Sequence, residues 1–125
     1  RKILLCGLSF KGYPETKDYR GSITLIFFQL LKKNTKYQVF IHDPLFNPQE
    51  IKKLLGINSE NFKKNENEYD CIIIMNNNKF YKNTNPKVYA NLLKKNGIIF
   101  DYWSSLKGKF NKIKKLNQRS KYFEL

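Results

Sequence analysis

Short apolar runs alternate with helix-like segments along most of the chain, and this alternation constrains the fold more than any other feature. KILLCGL (2–8) is a continuous apolar run checked by glycine, the pattern of a strand buried on both faces. SITLIFFQLLKKN (22–34) places Ile23, Ile26, Phe27, Leu30 and Leu31 at helical spacing, with Ser22 as N-cap and lysines in the last turn. YQVFIHDP (37–44) predicts a second strand stopped by Pro44, NPQEIKKLLG (47–56) a short helix stopped by Gly56, and GINSENF (56–62) a brief strand. YDCIIIM (69–75) is a further strand, its apolar core running from Cys71 to Ile74, and the asparagine-rich NNNKFYKNTNP (76–86) predicts a loop closed by Pro86. KVYANLLKKNG (87–97) then suits a helix with a glycine stop, and GIIFDYW (97–103) a final strand. Strands alternating with helices predict a parallel sheet with helices on both faces. Residues 107–121 hold seven cations, and 107–125 is expected to be a lysine-rich helix or tail of the same domain.

The size agrees with one domain: at 125 residues and 41% hydrophobic content the chain can bury about two thirds of its unfolded surface. No run approaches the roughly 18 apolar residues of a membrane span, so a soluble, cytoplasmic protein is expected, without a membrane partner. The chain enters a strand pattern at Arg1 and its only methionine is Met75, which suggests a piece of a longer polypeptide. The net charge of +14 invites a nucleic-acid reading. Against it, 21 of the 24 cations are lysine, whereas base and phosphate recognition favours the arginine fork. With 15 asparagines, the lysine excess looks compositional, so a solvated basic surface is preferred and nucleic acid is set aside as the alternative partner. Cys6 and Cys71 lie far apart in strand-like runs with only His42 as another soft ligand, which argues for free thiols and against a zinc site.

The segment GLSFKGYPETKDYRGS (7–22) fills the first strand-to-helix turn, the natural ligand position in a doubly wound sheet. It is neither a dinucleotide fingerprint, since four residues separate Gly7 from Gly12, nor a phosphate loop, since Tyr13 and Pro14 follow Gly12. What remains is Lys11 past the strand end and Arg20 before the helix start, both able to meet an anion beside the helix amides. The plain alternatives are one surface lysine among many and an arginine paired with Asp18 or Glu15. Asp43 reads as a turn-former before proline, and Asn76, Asn77 and Asn78 as either cleft lining or loop.

These segments closely resemble the C-terminal, UDP-binding domain of the UDP-glucose/GDP-mannose dehydrogenase family, the nucleotide-sugar dehydrogenases. GLSFKGYPETKDYRGS is similar to that domain's opening G-[LI]-[AS]-F-K-G-x-P-x-T-x-D-x-R-x-S, and FIHDP, EYDCIIIM and NGIIFDYW resemble three later motifs in the same order. The likeness spans 2–106, the expected nucleotide-sugar-binding domain being 1–106. It implies a three-layer α/β/α Rossmann-like domain with a mostly parallel sheet. It also implies a full-length enzyme that oxidises the sugar C6 alcohol to a carboxylate in two NAD-dependent steps through a catalytic cysteine. That cysteine and the NAD site belong to the N-terminal part of such enzymes; Cys6 and Cys71 match no part of its motif, so no catalytic residue is expected here. The implied partners are a UDP-sugar such as UDP-glucose or a UDP-N-acetylhexosamine, the N-terminal NAD-binding and central helical parts of the same polypeptide, and further copies in a homo-oligomer.

By resemblance Phe10 and Lys11 match a substrate-contacting Phe-Lys pair, and Arg20 and Ser22 match R-x-S positions that either touch ligand or organise the helix start. One departure stands out: where many members carry F-D-x-R, Trp103 takes the arginine's place. An indole can stack on a sugar or base but cannot neutralise phosphate; the alternative is that Trp103 packs at the sheet edge or against another domain. A domain serving chiefly in packing or oligomer assembly is the remaining reading.

Overall fold

A computed structural model describes residues 1–57, 59, 62, 66–110 and 120–124. Five strands form one sheet in the order β2-β1-β3-β4-β5, and every pairing is parallel. They are β1 (Lys2–Cys6), β2 (Gln38–His42), β3 (Tyr69–Ile74), β4 (Leu93–Asp101) and β5 (Lys121–Glu124). The helices are α1 (Ile23–Lys32), α2 (Pro48–Leu55), α3 (Lys79–Asn83) and α4 (Pro86–Leu92). The expected three-layer Rossmann-like α/β architecture is therefore present, with the strand order reversing between β1 and β3. No helix among the described residues is long and apolar enough to cross a membrane.

Local sequence explains most boundaries. Ser22 accepts a hydrogen bond from the Leu25 amide and starts α1. Asn47 and Glu50 form a reciprocal capping box on α2, with Pro48 in the first turn. On one face of the sheet Leu4, Cys6, Ile72, Ile74 and Ile99 pack against Tyr81 and Tyr89 from α3 and α4. On the other, Ile3, Leu5 and Ile41 pack against Phe28 of α1 and Ile51 of α2. Cys6 and Cys71 are free and belong to these opposite faces, so the sheet itself separates them.

α1 is where the spacing puts it; Thr24 and Phe28 are its buried residues, and Ile23, Ile26 and Leu30 are 56–60% exposed. A helix apolar on nearly every side gives no sequence signal for its inward face. Three expectations need correction. The 76–86 loop contains α3, capped by Asn78, whose side chain accepts from the Phe80 amide. The 87–97 helix stops at Leu92, because Leu93 turns extended and begins β4; Asn96, at φ 66, takes the left-handed turn ahead of Gly97. β4 is not the last strand, since Lys121–Glu124 pairs with it as β5 where a helix or tail is expected. The rest of the lysine-rich segment, 111–119, lies outside the described residues, as do Asn58, Glu60 and Asn61 of the strand expected at 56–62. Among the described residues of that stretch there is no strand; Ser59 donates its hydroxyl to the Ile41 carbonyl and Phe62 joins the core.

Candidate functional site

The turns at the carboxyl ends of β1, β2, β3 and β4 meet at the reversal of strand order, and hydrogen bonds from side chains knit them together. Asp43, at the end of β2, is buried. One carboxylate oxygen accepts from the Leu8 and Ser9 amides at 2.8 and 3.0 Å, and the other from the Leu45 amide at 2.9 Å. Asp43 is thus the expected turn-former and, in addition, the group that fixes the start of the 7–22 turn. Asn76 donates to the Ser9 carbonyl at 3.3 Å, Asn77 accepts from the Gly12 amide at 3.0 Å, and Asn78 donates to Glu15 at 3.4 Å. Each asparagine of the run therefore holds part of the same turn, so the run is neither a ligand lining alone nor inert loop composition.

This contact is too close for anything but glycine on the facing side. A Cβ on Gly12 would lie 2.0 Å from the Asn78 nitrogen, and one on Gly7 would lie 2.4 Å from the Asn76 side chain. In a dinucleotide fold the equivalent glycines leave room for a pyrophosphate; here asparagines occupy that room. The residues present do not fit NAD, and no hydride step can be drawn through them.

Beyond this buried knot the turn opens to solvent. Phe10 is 49% exposed, and the Lys11 ammonium stands 5.2 Å from its ring centroid, a cation–π pair that keeps both groups on one patch. At the end of β4, Trp103 is 48% exposed, and its indole N–H donates to the Met75 carbonyl at 3.0 Å, which pins the ring across the ends of β3 and β4. Tyr102 meets it edge to face, with centroids 6.0 Å apart. The preceding Asp101 is buried, accepting from the Leu106 amide and the Tyr122 hydroxyl, each at 2.8 Å, and so fixes the segment that carries Trp103.

Arg20 and Ser22 sit differently. The Arg20 fork grips Asp18 through Nε at 2.9 Å and Nη2 at 2.8 Å, as the plain reading of this arginine anticipates. Those hydrogen bonds hold the Asp18 carboxyl at about 2. The Arg20 side chain remains 84% exposed, so this is a solvent-screened pair. Ser22 is buried and spent on capping, which assigns its side chain to helix organisation.

A separate cleft of about 570 Å³ lies on the other side of the turn, between Glu15, Leu45, Asn78, Lys79 and Thr84; Phe10, Lys11 and Trp103 do not line it. His42 faces the core. Its ring packs between Phe62 and Phe80, with centroids at 4.7 and 5.3 Å, and burial lowers its pKa to about 4. Tyr81 donates its hydroxyl to the His42 carbonyl at 2.9 Å, leaving the phenol oxygen to accept from Nδ1 at 3.0 Å.

A five-stranded parallel sheet whose strand order reverses at β1 and β3, with the first turn filled by asparagines, defines a doubly wound α/β domain. A family model described as the UDP binding domain of the UDP-glucose/GDP-mannose dehydrogenase family matches residues 4–108, and the chain belongs to that family. Among solved structures it is similar to the UDP-N-acetyl-mannosamine dehydrogenase Cap5O from S. aureus, at 20% identity and a TM-score of 0.71. That match covers 98% of this chain and 26% of the other, so the chain spans about a quarter of that dehydrogenase's length, and the likeness at this identity is one of fold. No curated protein sequence matches the chain.

Phe10 and Lys11 stand on the exposed turn that the motif marks and Trp103 at the end of β4 where the motif has arginine, whereas the clamp by Asp43 and the roles of Asn76, Asn77 and Asn78 are not apparent from the sequence. Their only sequence signal is position: polar residues immediately after a strand.

Proposed function

We propose that this chain is the nucleotide-sugar-binding wall of a UDP-sugar 6-dehydrogenase. In such an enzyme the sugar C6 alcohol is oxidised to a carboxylate with NAD, which another part of the polypeptide holds together with the catalytic cysteine. The residues here bind and orient; they neither take the hydride nor form a covalent adduct. The carrying observation is the exposed Phe10–Lys11 pair in the first strand-to-helix turn, at the same carboxyl end of the sheet as the pinned Trp103 indole after β4. The ammonium suits a sugar or phosphate oxygen, and the two rings suit the flat faces of a base or pyranose. Arg20, poised at the helix start on an exposed and exchangeable pair, can turn to the same anion. The patch is open, whereas ligand pockets bury most of their ligand, so the opposite wall comes from elsewhere in the full-length enzyme or its oligomer.

An NMR titration of the chain with UDP, UDP-glucose, UDP-N-acetylhexosamines and GDP-mannose, with single-stranded DNA as the competing ligand, tests this reading. Half a site is expected to bind with Kd of about 1 mM, equivalent to roughly 4 kcal/mol. Saturable shifts at Phe10, Lys11, Arg20 and Trp103 with one nucleotide sugar support it. Shifts with DNA alone overturn it in favour of a basic nucleic-acid surface. Lys11→Ala should weaken nucleotide-sugar binding about tenfold while leaving the melting temperature nearly unchanged; a destabilised variant with unaltered affinity removes Lys11 from the site.

A further inference from the structure

Among the described residues, α1 and α2 cover only part of the sheet face that carries them. Beside α1 runs an apolar trough of about 480 Å³. Its wall is Ile23 and Phe27 of α1, its floor Cys71, Ile73, Ile98 and Phe100, and Met75 and Tyr102 close its carboxyl end. The apolar surface continues outward over Ile26 and Leu30 on α1 and over Phe123 on β5, all more than 40% exposed. Three strands at about 4.8 Å spacing make a floor about 10 Å across, the width of one packed α-helix. One lysine stands beyond each edge of the trough: Lys33 at the C-cap of α1 continues the outward Ile26–Leu30 stripe at helical spacing, and Lys121 precedes Phe123 on the same face of β5. With a net charge of +14, a second copy laid here would set basic edges against basic edges.

We propose that this trough docks one partner helix, apolar along one face and acidic along both flanks. The inference goes beyond the nucleotide-sugar reading and needs no nucleotide for its test. Cys71 reports on the floor: its thiol is partly buried, and burial pushes its pKa up to about 11, which makes modification slow but measurable, while Cys6 is fully buried on the opposite face and serves as the silent control. The probe is a synthetic 18-residue helix-forming peptide with a leucine stripe flanked by glutamates, compared with the same stripe flanked by lysines. The readouts are the rate of maleimide modification of Cys71 and sedimentation velocity. At ten times its Kd the glutamate peptide should slow modification about tenfold. The lysine peptide should require a higher concentration for the same effect, and Ile26→Lys with Ile98→Lys should abolish protection while leaving the circular dichroism melting curve in place. Absence of protection, or equal protection by both peptides, overturns the proposal. Concentration-dependent protection without peptide, accompanied by dimers in sedimentation, assigns the trough to a second copy and overturns it as well.

Discussion

On one face of the sheet Tyr81 and Tyr89 are fully buried, and each hydroxyl reaches a main-chain oxygen, His42 and Tyr81 respectively. On the other, Ile98 and Phe100 flank the fully buried Ile99 in the same strand yet keep more than a third of their surface in water. All three are apolar, so the strand pattern is the same and the neighbours differ: α3 and α4 cover one side, while α1 and α2 reach only part of the other. Hydrophobic sequence thus marks where a strand runs, but which side is sealed depends on how many helices lie over it.

The contrast should appear first in stability. Tyr89→Ala removes a buried ring and orphans the Tyr81 carbonyl, at an expected loss of about 3–5 kcal/mol in urea denaturation. Phe100→Ala on the open face should lose about 1 kcal/mol, and equal losses would erase the distinction. The next effect depends on pH. His42 has a folded pKa of about 4 against an ordinary 6.5, so the unfolded chain binds the extra proton between those values. Stability is complete above about pH 6.5 and should fall by on the order of 3 kcal/mol towards pH 4. His42→Phe should flatten that slope; an unchanged slope would mean the ring is not held neutral by the closed face. Asp18, held at about 2 when folded, adds a small, solvent-screened loss only below about pH 4, where the unfolded chain's carboxyl takes up a proton before the folded one does. Tyr81→Phe keeps the ring but strips the hydrogen bonds to His42, an expected cost of about 1–3 kcal/mol measured at pH 7. Smallest of all, Ile98→Lys should shift stability by no more than about 0.5 kcal/mol. A larger loss there would mean the open face is sealed in solution.

Much of this architecture is legible without coordinates. Continuous apolar runs announce β1 and β3, Ser22 announces the start of α1, and Gly56 the end of α2, because each signal is local. α3 is not legible: five residues lie below the length at which helix propensity alone decides, and its formation rests on the Asn78 cap and the burial of Tyr81. β5 escapes because its four residues stand beside a lysine-rich segment and gain strand character only by pairing with β4. Phe10 and Lys11 of the proposed site stand out in the sequence because they form part of a long contiguous motif. The grip of Asp43 on Leu8 and Ser9 joins residues 34 and 35 positions apart, and no period or propensity encodes such a distance.

That grip has a consequence for how a ligand is met. A carboxylate sealed against two amides of the first turn acts as an internal counter-ion, holding those N–H groups in the orientation an outside anion would otherwise have to impose. On the proposed reading, the loop bearing Phe10 and Lys11 is therefore pre-organised before the nucleotide sugar arrives. Little conformational entropy is left to lose on association, and the ligand's free energy goes into contact instead of into shaping the loop.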